Sequence, residues 1–289
     1  MNFRFIFNLV SVVVFFLGIA MLPSLGISIY DGDASTSPIL LAALITCILG
    51  GMGYLLTKNF RRNLYLSHRD GVLIVTFGWV IAGLVATLPY MFTGAVASFT
   101  DAYFECISGF TTTGASIFTD VEKIPRSILL WRSQTQWLGG MGIIVLSIAV
   151  LPFLGVGGMQ LYKAETPSPV VDKLTPRISD TAKAIWKIYI FLTVLQIILL
   201  LFGGMSLFDA VNHAFTTMPT GGFSTKNASI ANYQSSYIDY VVIAFMLIAG
   251  INFSLHFKLV AGRIRSVFSD PELRAYFIIT GAFIILVAW

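Results

Sequence analysis

Two short segments rich in threonine and glycine have the residue types and spacing of a cation-binding site: residues 111–116 (TTTGAS) and 218–223 (MPTGGF). Aligning Gly114 with Gly221 places the two copies 107 residues apart, and an apolar run precedes and follows each copy. Backbone carbonyls on a loop held at membrane depth can replace the water shell of a cation. The pattern therefore predicts a repeated pore unit, in which a helix, a re-entrant half-helix, a Thr-Gly loop and a second helix follow one another.

Glycine and threonine suit the coordination of an ion by backbone oxygens. Glycine allows the backbone angles that turn carbonyls toward a common axis, and threonine adds a hydroxyl and stiffens the extended chain. One Thr-Gly run alone is equally well explained as a surface hairpin, but two copies in register favour an ion filter. The candidate filter residues are Thr111, Thr112, Thr113, Gly114, Ala115, Thr220, Gly221, Gly222 and Phe223. The candidate ligands of the ion are Thr112, Thr113, Thr220 and Gly221.

A capping box precedes each segment and predicts where its half-helix begins. Ser98 is followed three residues later by Asp101, and Ser206 by Asp209. A serine at the N-cap and a carboxylate three residues on satisfy free amide groups of the first helical turn. Each half-helix would end at its Thr-Gly segment, so that its C-terminus directs a partial negative charge toward the membrane interior, where a dehydrated cation is stabilised.

Four further polar residues lie inside apolar stretches. Glu105 and His213 fall midway along the two half-helices, and an ionisable group inside a membrane is a candidate functional residue. A hydrogen bond that holds each half-helix to its neighbours explains them better. Asn252 and His256 lie one helical turn apart, without a cysteine or carboxylate beside them. We expect these two to serve helix packing rather than to bind a metal.

The composition is that of an integral membrane protein. Hydrophobic residues make up 56% of the chain and charged residues 11%, against roughly 25% charged residues in soluble proteins. Apolar runs occupy residues 5–29, 38–57, 71–100, 133–162, 188–208, 240–257 and 275–289. Most reach the roughly 20 residues that a spanning helix needs, and the first is longer than the core of a signal peptide. The sequence contains no HExxH, GxSxG or P-loop motif, so we expect a protein that is not an enzyme.

Lysine and arginine cluster in alternate connections between the apolar runs. The three clusters are Lys58, Arg61, Arg62 and Arg69; Lys163, Lys173, Arg177 and Lys183; and Lys258, Arg263, Arg265 and Arg274. By the positive-inside rule these connections are cytoplasmic, together with the N-terminus that bears Arg4. Residues 98–118 and 206–223 then begin and end on the outer side, which makes both segments re-entrant. The net charge of +4 reflects this topology and contact with membrane lipid, and gives no reason to expect nucleic acid as a partner.

Three motifs together resemble one known family. Residues 110–116 (FTTTGAS), 136–142 (QWLGGMG) and 216–225 (TTMPTGGFST) are similar to the first two pore repeats of the TrkH-type potassium uptake subunits in the Trk/Ktr/HKT superfamily. The resemblance covers essentially the whole chain. It implies an all-α polytopic protein of the bacterial inner membrane. Such a protein is built from helix–pore-loop–helix repeats of potassium-channel type, with two extra N-terminal helices.

The family pattern also implies a division of this chain. It assigns residues 1–66 to the N-terminal two-helix extension, 67–160 to pore repeat 1, 161–178 to a cytoplasmic linker, 179–266 to pore repeat 2 and 267–289 to the start of pore repeat 3. The family has four repeats around one permeation path. Because the last apolar run stops at Trp289 without a polar cap, we expect the natural chain to continue.

For function, the resemblance implies potassium uptake. Dehydrated K⁺ would pass the carbonyls of Thr112, Thr113, Gly114, Thr220 and Gly221 in a channel-like manner, while possible symport with H⁺ or Na⁺ is left open. In relatives, a serine at the position matching Gly114 accompanies sodium permeability, so the glycine implies a preference for K⁺. The family further implies a homodimer that is gated by a cytosolic ring of nucleotide-binding subunits docked on the basic loops.

Three alternatives remain at the level of sequence. The first is a sodium-permeable relative. The second is the potassium-binding subunit of a P-type ATPase complex, which shares the pore repeat and would co-purify with a catalytic ATPase chain. The third is a membrane scaffold that does not transport ions, which predicts no ion selectivity at all.

Overall fold

The computed structural model describes residues 3–58, 68–150 and 178–288, and every regular element in these ranges is helical. Sequence predictions that fall on 59–67 and 151–177 lie outside the described residues. They include the basic residues Arg61, Arg62, Lys163, Lys173 and Arg177 and nearly all of the predicted linker 161–178.

Thirteen α-helices follow one another in the described ranges. They are α1 (Phe3–Ala20), α2 (Leu22–Asp31), α3 (Thr36–Thr57), α4 (His68–Ala86), α5 (Leu88–Thr93), α6 (Phe99–Phe110), α7 (Arg126–Val150), α8 (Ile178–Phe202), α9 (Leu207–Thr217), α10 (Ser236–Ala249), α11 (Phe253–Val260), α12 (Ile264–Phe268) and α13 (Pro271–Ala288). Single 3₁₀ turns at Val121–Lys123 and Ser229–Tyr233 precede α7 and α10.

Four stretches of the described chain are long and apolar enough to cross a membrane. They are Phe3–Asp31, Thr36–Thr57, Arg69–Thr93 and Lys183–Phe202. These match four of the predicted apolar runs, although the third stops before the half-helix α6 rather than at residue 100. The predicted run 133–162 is described only as far as residue 150.

The first helical hairpin packs closely because small residues face each other. Gly50 of α3 lies against the backbone of Phe15 in α1, and a side chain at position 50 would overlap it. At the other end of the pair, Asn8 donates a hydrogen bond to Thr57 Oγ1 at 2.7 Å. On its other face α1 packs against α4 through Ile6 and Val10. The hairpin thus covers one side of the first pore unit.

The two pore units share α7. In the first unit, α6 lies between α4 and α7; in the second, α9 packs against both α8 and α7. Trp131, fully buried in α7, donates its indole N–H to the carbonyl of Ala86 at 3.1 Å and so fixes α7 to the end of α4. The result is a layer of long helices around two short ones.

The run 240–257 was predicted to be one spanning helix, and this prediction is wrong. It is divided between α10 and α11, which meet at an angle of 94°. Tyr276 Oη donates to the carbonyl of Leu247 at 3.1 Å, and His256 Nε2 lies 2.9 Å from the carbonyl of Ile248. Asn252 Oδ1 accepts from the amide of Ser254 and so caps α11. The polar groups freed by the break are therefore satisfied by side chains, as a membrane interior requires.

Candidate ion-filter site

The two half-helices begin where the capping boxes predicted. Ser98 Oγ accepts from the amide of Asp101 at 3.4 Å, and Ser206 Oγ accepts from the amide of Asp209 at 3.1 Å. Helices α6 and α9 contain 12 and 11 residues. At 1.5 Å per residue they are too short to cross a hydrocarbon core of about 30 Å, which agrees with re-entrant segments.

The backbones of the two filter segments repeat each other at an offset of 108 residues. Thr112 and Thr220 both have positive φ, 54° and 60°, and Gly114 and Gly222 follow with φ of 77° and 81°. The offset of 107 inferred from the glycines is therefore wrong by one position. The structural counterpart of Gly114 is Gly222, and Gly221 corresponds to Thr113.

Hydrogen bonds confirm this register. The amide of Thr113 donates to the carbonyl of Ser108 at 2.9 Å, and the amide of Gly221 donates to that of Thr216 at 2.8 Å. These bonds close the C-terminal turn of each half-helix onto its filter segment. Each segment is thus held in place by its own half-helix, whose C-terminal end carries partial negative charge.

The two segments meet at Gly114 and Gly221. A Cβ atom added to Gly114 would overlap the carbonyl oxygen of Gly221, so the first segment approaches the second without room for a side chain. Both glycines belong to the predicted filter, and the structure brings them together.

The other predicted filter residues differ in exposure. Thr111, Thr113, Ala115, Thr220 and Gly222 are exposed, whereas Gly221 and Phe223 are buried and Thr112 and Gly114 are half-buried. The carbonyl of Ala115 accepts a hydrogen bond from Ser108 Oγ at 2.5 Å. The ring of Phe223 is buried beneath the guanidinium of Arg132. The side chain of Phe223 therefore supports the filter from behind.

Glu105 and His213 hold the return strands of the filter loops, as the packing interpretation predicted. Glu105 Oε2 accepts from the amide of Ile117 at 2.9 Å, and its Oε1 accepts from Ser116 Oγ at 3.1 Å. His213 Nε2 lies 3.1 Å from Ser224 Oγ. Ser116 and Ser224 are also 108 residues apart, so the repeat extends to this contact.

Sequence reasoning missed two residues of α7 that reach the filter, Arg132 and Gln136. Arg132 forms a buried ion pair with Glu105. Gln136 Oε1 accepts a hydrogen bond from the amide of Phe223 at 3.2 Å. An isolated arginine at the edge of an apolar run was a visible signal for the first. Gln136 entered the analysis only as part of a family motif, and nothing in its sequence context points to Phe223.

Outside the predicted membrane region, a polar cluster joins the loops that follow the two filters. Asn227 Oδ1 accepts from the amide of Val121 at 2.8 Å, and Asn227 Nδ2 donates to Asp120 Oδ1 at 2.8 Å. The amide of Asn227 also donates to Glu122 Oε1 at 3.0 Å. The hydrogen bond from Asn227, assisted by Lys123, lowers the pKa of Asp120 below its ordinary value.

Comparison with known proteins adds the family. The family model described as "TrkH: Cation transport protein" matches residues 35–289. The chain is 44% identical to the Trk system potassium uptake protein TrkH of Halomonas elongata over 99% of this chain and 60% of that protein. It is 43% identical to TrkH of Escherichia coli K12 over 96% and 57%.

A solved structure agrees with these relatives. The crystal structure of the potassium transporter TrkH from Vibrio parahaemolyticus superposes with a TM-score of 0.85 at 35% identity, covering 99% of this chain and 58% of that one. The chain thus spans about three fifths of the length of the relatives it matches. The family match and the close likeness over nearly the whole chain show that this all-α, polytopic membrane protein belongs to the TrkH family of cation transport proteins.

Proposed function

We propose that the protein containing this chain takes up K⁺ across the bacterial inner membrane through a filter lined by backbone oxygens. The filter consists of the segments 111–115 and 220–223, with Thr112, Thr113, Thr220 and Gly221 supplying ligands to the ion. By family resemblance, two further repeats complete the ring. K⁺ is the transported substrate in this proposal.

The observation that carries the proposal is the meeting of the two segments at Gly114 and Gly221, at the C-terminal ends of two capped half-helices. Two helix C-termini that converge on one point create a favourable potential for a cation. Backbone carbonyls in such a place replace water without the cost of a fixed charge, which suits a monovalent ion that must also leave. The names of the relatives, which are potassium uptake proteins, support K⁺ as that ion.

The topology and assembly follow from charge and resemblance. The N-terminus and the loops with Lys58 and Lys258 face the cytoplasm, and the Asn227 cluster faces outward. A homodimer gated by a cytosolic nucleotide-binding ring belongs to the same proposal, with the basic cytoplasmic loops as the docking surface. The predicted domain boundaries stay as stated above.

The proposal is tested by ion flux. The full-length gene product, purified and reconstituted in liposomes, should carry K⁺ and discriminate against Na⁺ in mixed salts. Equal passage of both ions would favour the sodium-permeable alternative, and no flux of either ion would favour the scaffold. Co-purification of a catalytic ATPase chain would replace the proposal with the P-type ATPase subunit.

A further inference from the structure

Two buried polar side chains of α7, Arg132 and Gln136, have no part in the function proposed above. They lie four residues apart and therefore on one face of the helix. Arg132 is 3% exposed and Gln136 is 0% exposed. Polar groups are buried at a cost unless their contacts compensate for it, so the contacts of these two residues indicate what they do.

Arg132 connects the first filter loop to the second. Its Nε donates to Glu105, which in turn holds the amide of Ile117 in the first loop. Its Nη1 donates to the carbonyl of Ser224, just after the second filter, at 3.1 Å. The guanidinium also lies over the ring of Phe223, with Cζ 3.5 Å from the ring centroid.

The geometry of these contacts requires arginine. The planar guanidinium donates in two directions and stacks on an aromatic ring at the same time, which a lysine ammonium cannot do. Because Glu105 neutralises the charge, Arg132 does not place a net positive charge beside a cation path.

Gln136 fills the space behind the point where the two filter segments meet. Its carboxamide lies so close to Gly221 that a Cβ at that position would overlap it, and Nε2 is 3.8 Å from the place where a Cβ of Gly114 would be. Oε1 accepts from the amide of Phe223. Within the part of the chain that the structure describes, Nε2 has no hydrogen-bond partner. An unpaired buried N–H₂ group directed at two filter glycines indicates a position constrained by the filter.

The second repeat does not supply equivalent side chains. When Gly140 is aligned with Gly250, the positions of Arg132 and Gln136 correspond to Val242 and Met246 in α10. Both are apolar, and Met246 is 54% exposed. The second filter segment therefore receives from α7 of the first repeat the support that α10 does not provide.

We propose that Arg132 and Gln136 form a brace that sets the spacing between the two filter segments, and thereby contributes to discrimination between K⁺ and Na⁺ without contacting the ion. Both are positioning residues, acting through Glu105, Ser224 and Phe223. This inference rests on the proposed function, because a filter must exist for a brace to matter.

The test compares ion selectivity in variants of the full-length gene product, with flux measured in mixed K⁺ and Na⁺ in liposomes at matched protein content. Arg132→Lys keeps the charge beside Glu105 but loses the fork and the stacking. Gln136→Met keeps the approximate volume but loses the acceptor for Phe223. We expect each to lower the K⁺/Na⁺ flux ratio by roughly three- to tenfold, the range that loss of one ordinary hydrogen bond allows. Gln136→Glu, which keeps the acceptor, should lower the ratio less than Gln136→Met.

Helix α7 also offers matched controls. Arg126 pairs with Asp31 at 2.8 Å and lies over the ring of Phe208, and Gln134 accepts a hydrogen bond from Ser24 at 3.0 Å. Arg126→Lys and Gln134→Met therefore make the same chemical changes away from the filter, and they should leave the flux ratio at the parent value.

The outcomes separate the two proposals. A parent-like ratio in Arg132→Lys and in both Gln136 variants would overturn the brace while leaving the filter intact, provided that Gly114→Ser still lowers selectivity. If Gly114→Ser has no effect either, the proposed filter itself fails. Should Arg132→Lys fail to accumulate in the membrane, the order of the two Gln136 variants decides: equal ratios overturn the brace, and a lower ratio in Gln136→Met supports it.

Discussion

The carbonyl oxygen of Gly221 occupies the place where the side chain of any larger residue at Gly114 would begin. Because Gly114 also has a φ of 77°, a substitution there meets both backbone strain and a steric overlap with the second filter segment. Few positions in the described chain couple the two repeats so directly.

The first prediction follows from this contact. Gly114→Ser should lower K⁺ over Na⁺ selectivity strongly, because it separates the two segments. Gly222→Ser has the same backbone strain, with φ of 81°, but no atom lies within 4 Å of the added Cβ. It should therefore change selectivity less and act mainly on stability, by roughly 1–2 kcal/mol. Reversal potentials in mixed salts measure the first effect and thermal unfolding the second. A larger selectivity change in Gly222→Ser would contradict the assigned contact.

Gly221→Ser tests the same region from the other side. A serine at Gly221 would overlap the carboxamide of Gln136 rather than another filter oxygen. Both Gly221→Ser and Gln136→Met should lower selectivity. Because both act through one contact, their effects should not add in the double variant. Additive effects would mean that Gly221 and Gln136 influence the ion independently.

What the sequence could predict here depended on how local the physical cause was. The half-helix starts were predictable because a serine and a carboxylate three residues apart satisfy their own helical turn. The filter register was not, because Gly221 and Gly222 are adjacent and either can be aligned with Gly114. Only the φ angles decide between them. The contacts of Arg132 with Ser224 span 92 positions and depend on how α7 packs against α9.

The caps provide the next prediction. Ser98→Ala and Ser206→Ala should each destabilise the protein by roughly 0.5–2 kcal/mol, and Ser206→Ala should cost more. Its Oγ accepts a shorter bond and also donates to Asp209 Oδ2 at 2.9 Å, and Asp209 in turn accepts from Thr225. Thermal unfolding with matched Ser→Asn controls, which keep the acceptor, measures this. A change of ion selectivity at normal stability would show that these serines act at the filter instead.

Topology can be checked by labelling introduced cysteines. In a background without Cys47 and Cys106, Lys123→Cys should react with an impermeant reagent from outside, because Lys123 is exposed beside the Asn227 cluster. Arg265→Cys, exposed between α11 and α13, should react only from the cytoplasmic side. The expectation follows from the alternation of basic loops. Labelling of both positions from the same side would rule out the re-entrant arrangement of α6 and α9.

The outer cluster gives a pH-dependent prediction. The pKa of Asp120 is lowered, first by the hydrogen bond from Asn227. A carboxyl group with a lowered pKa stabilises the fold above its ordinary pKa, and this stabilisation is lost as the pH falls through the lowered value. Asn227→Ala should therefore reduce the loss of thermal stability between about pH 5 and about pH 3. The control is Asn232→Ala, an exposed asparagine in the same outer region. An unchanged pH profile in Asn227→Ala would show that this hydrogen bond does not control Asp120.

The break between α10 and α11 provides the last prediction, through a pair of residues far from the filter. A Cβ on Gly250 would lie 2.5 Å from Tyr276 Oη, the hydroxyl that donates to the carbonyl of Leu247. Gly250→Ala should therefore destabilise the protein by roughly 1–3 kcal/mol through overpacking, and Tyr276→Phe by about 1 kcal/mol through loss of the hydrogen bond.

In the double variant the overlapping hydroxyl is gone, so Gly250→Ala should cost less than it does alone, with a coupling energy of roughly 0.5–3 kcal/mol. The remaining cost arises from the ring carbons, which lie 3.1 and 3.3 Å from the same Cβ. Gly281→Ala in α13, where no atom lies within 4 Å of the added Cβ, is the control and should not destabilise the protein. Thermal unfolding of the four proteins of the cycle measures the coupling. Strict additivity would mean that Tyr276 does not hold the end of α10, and that the bend depends on the caps of α11 alone.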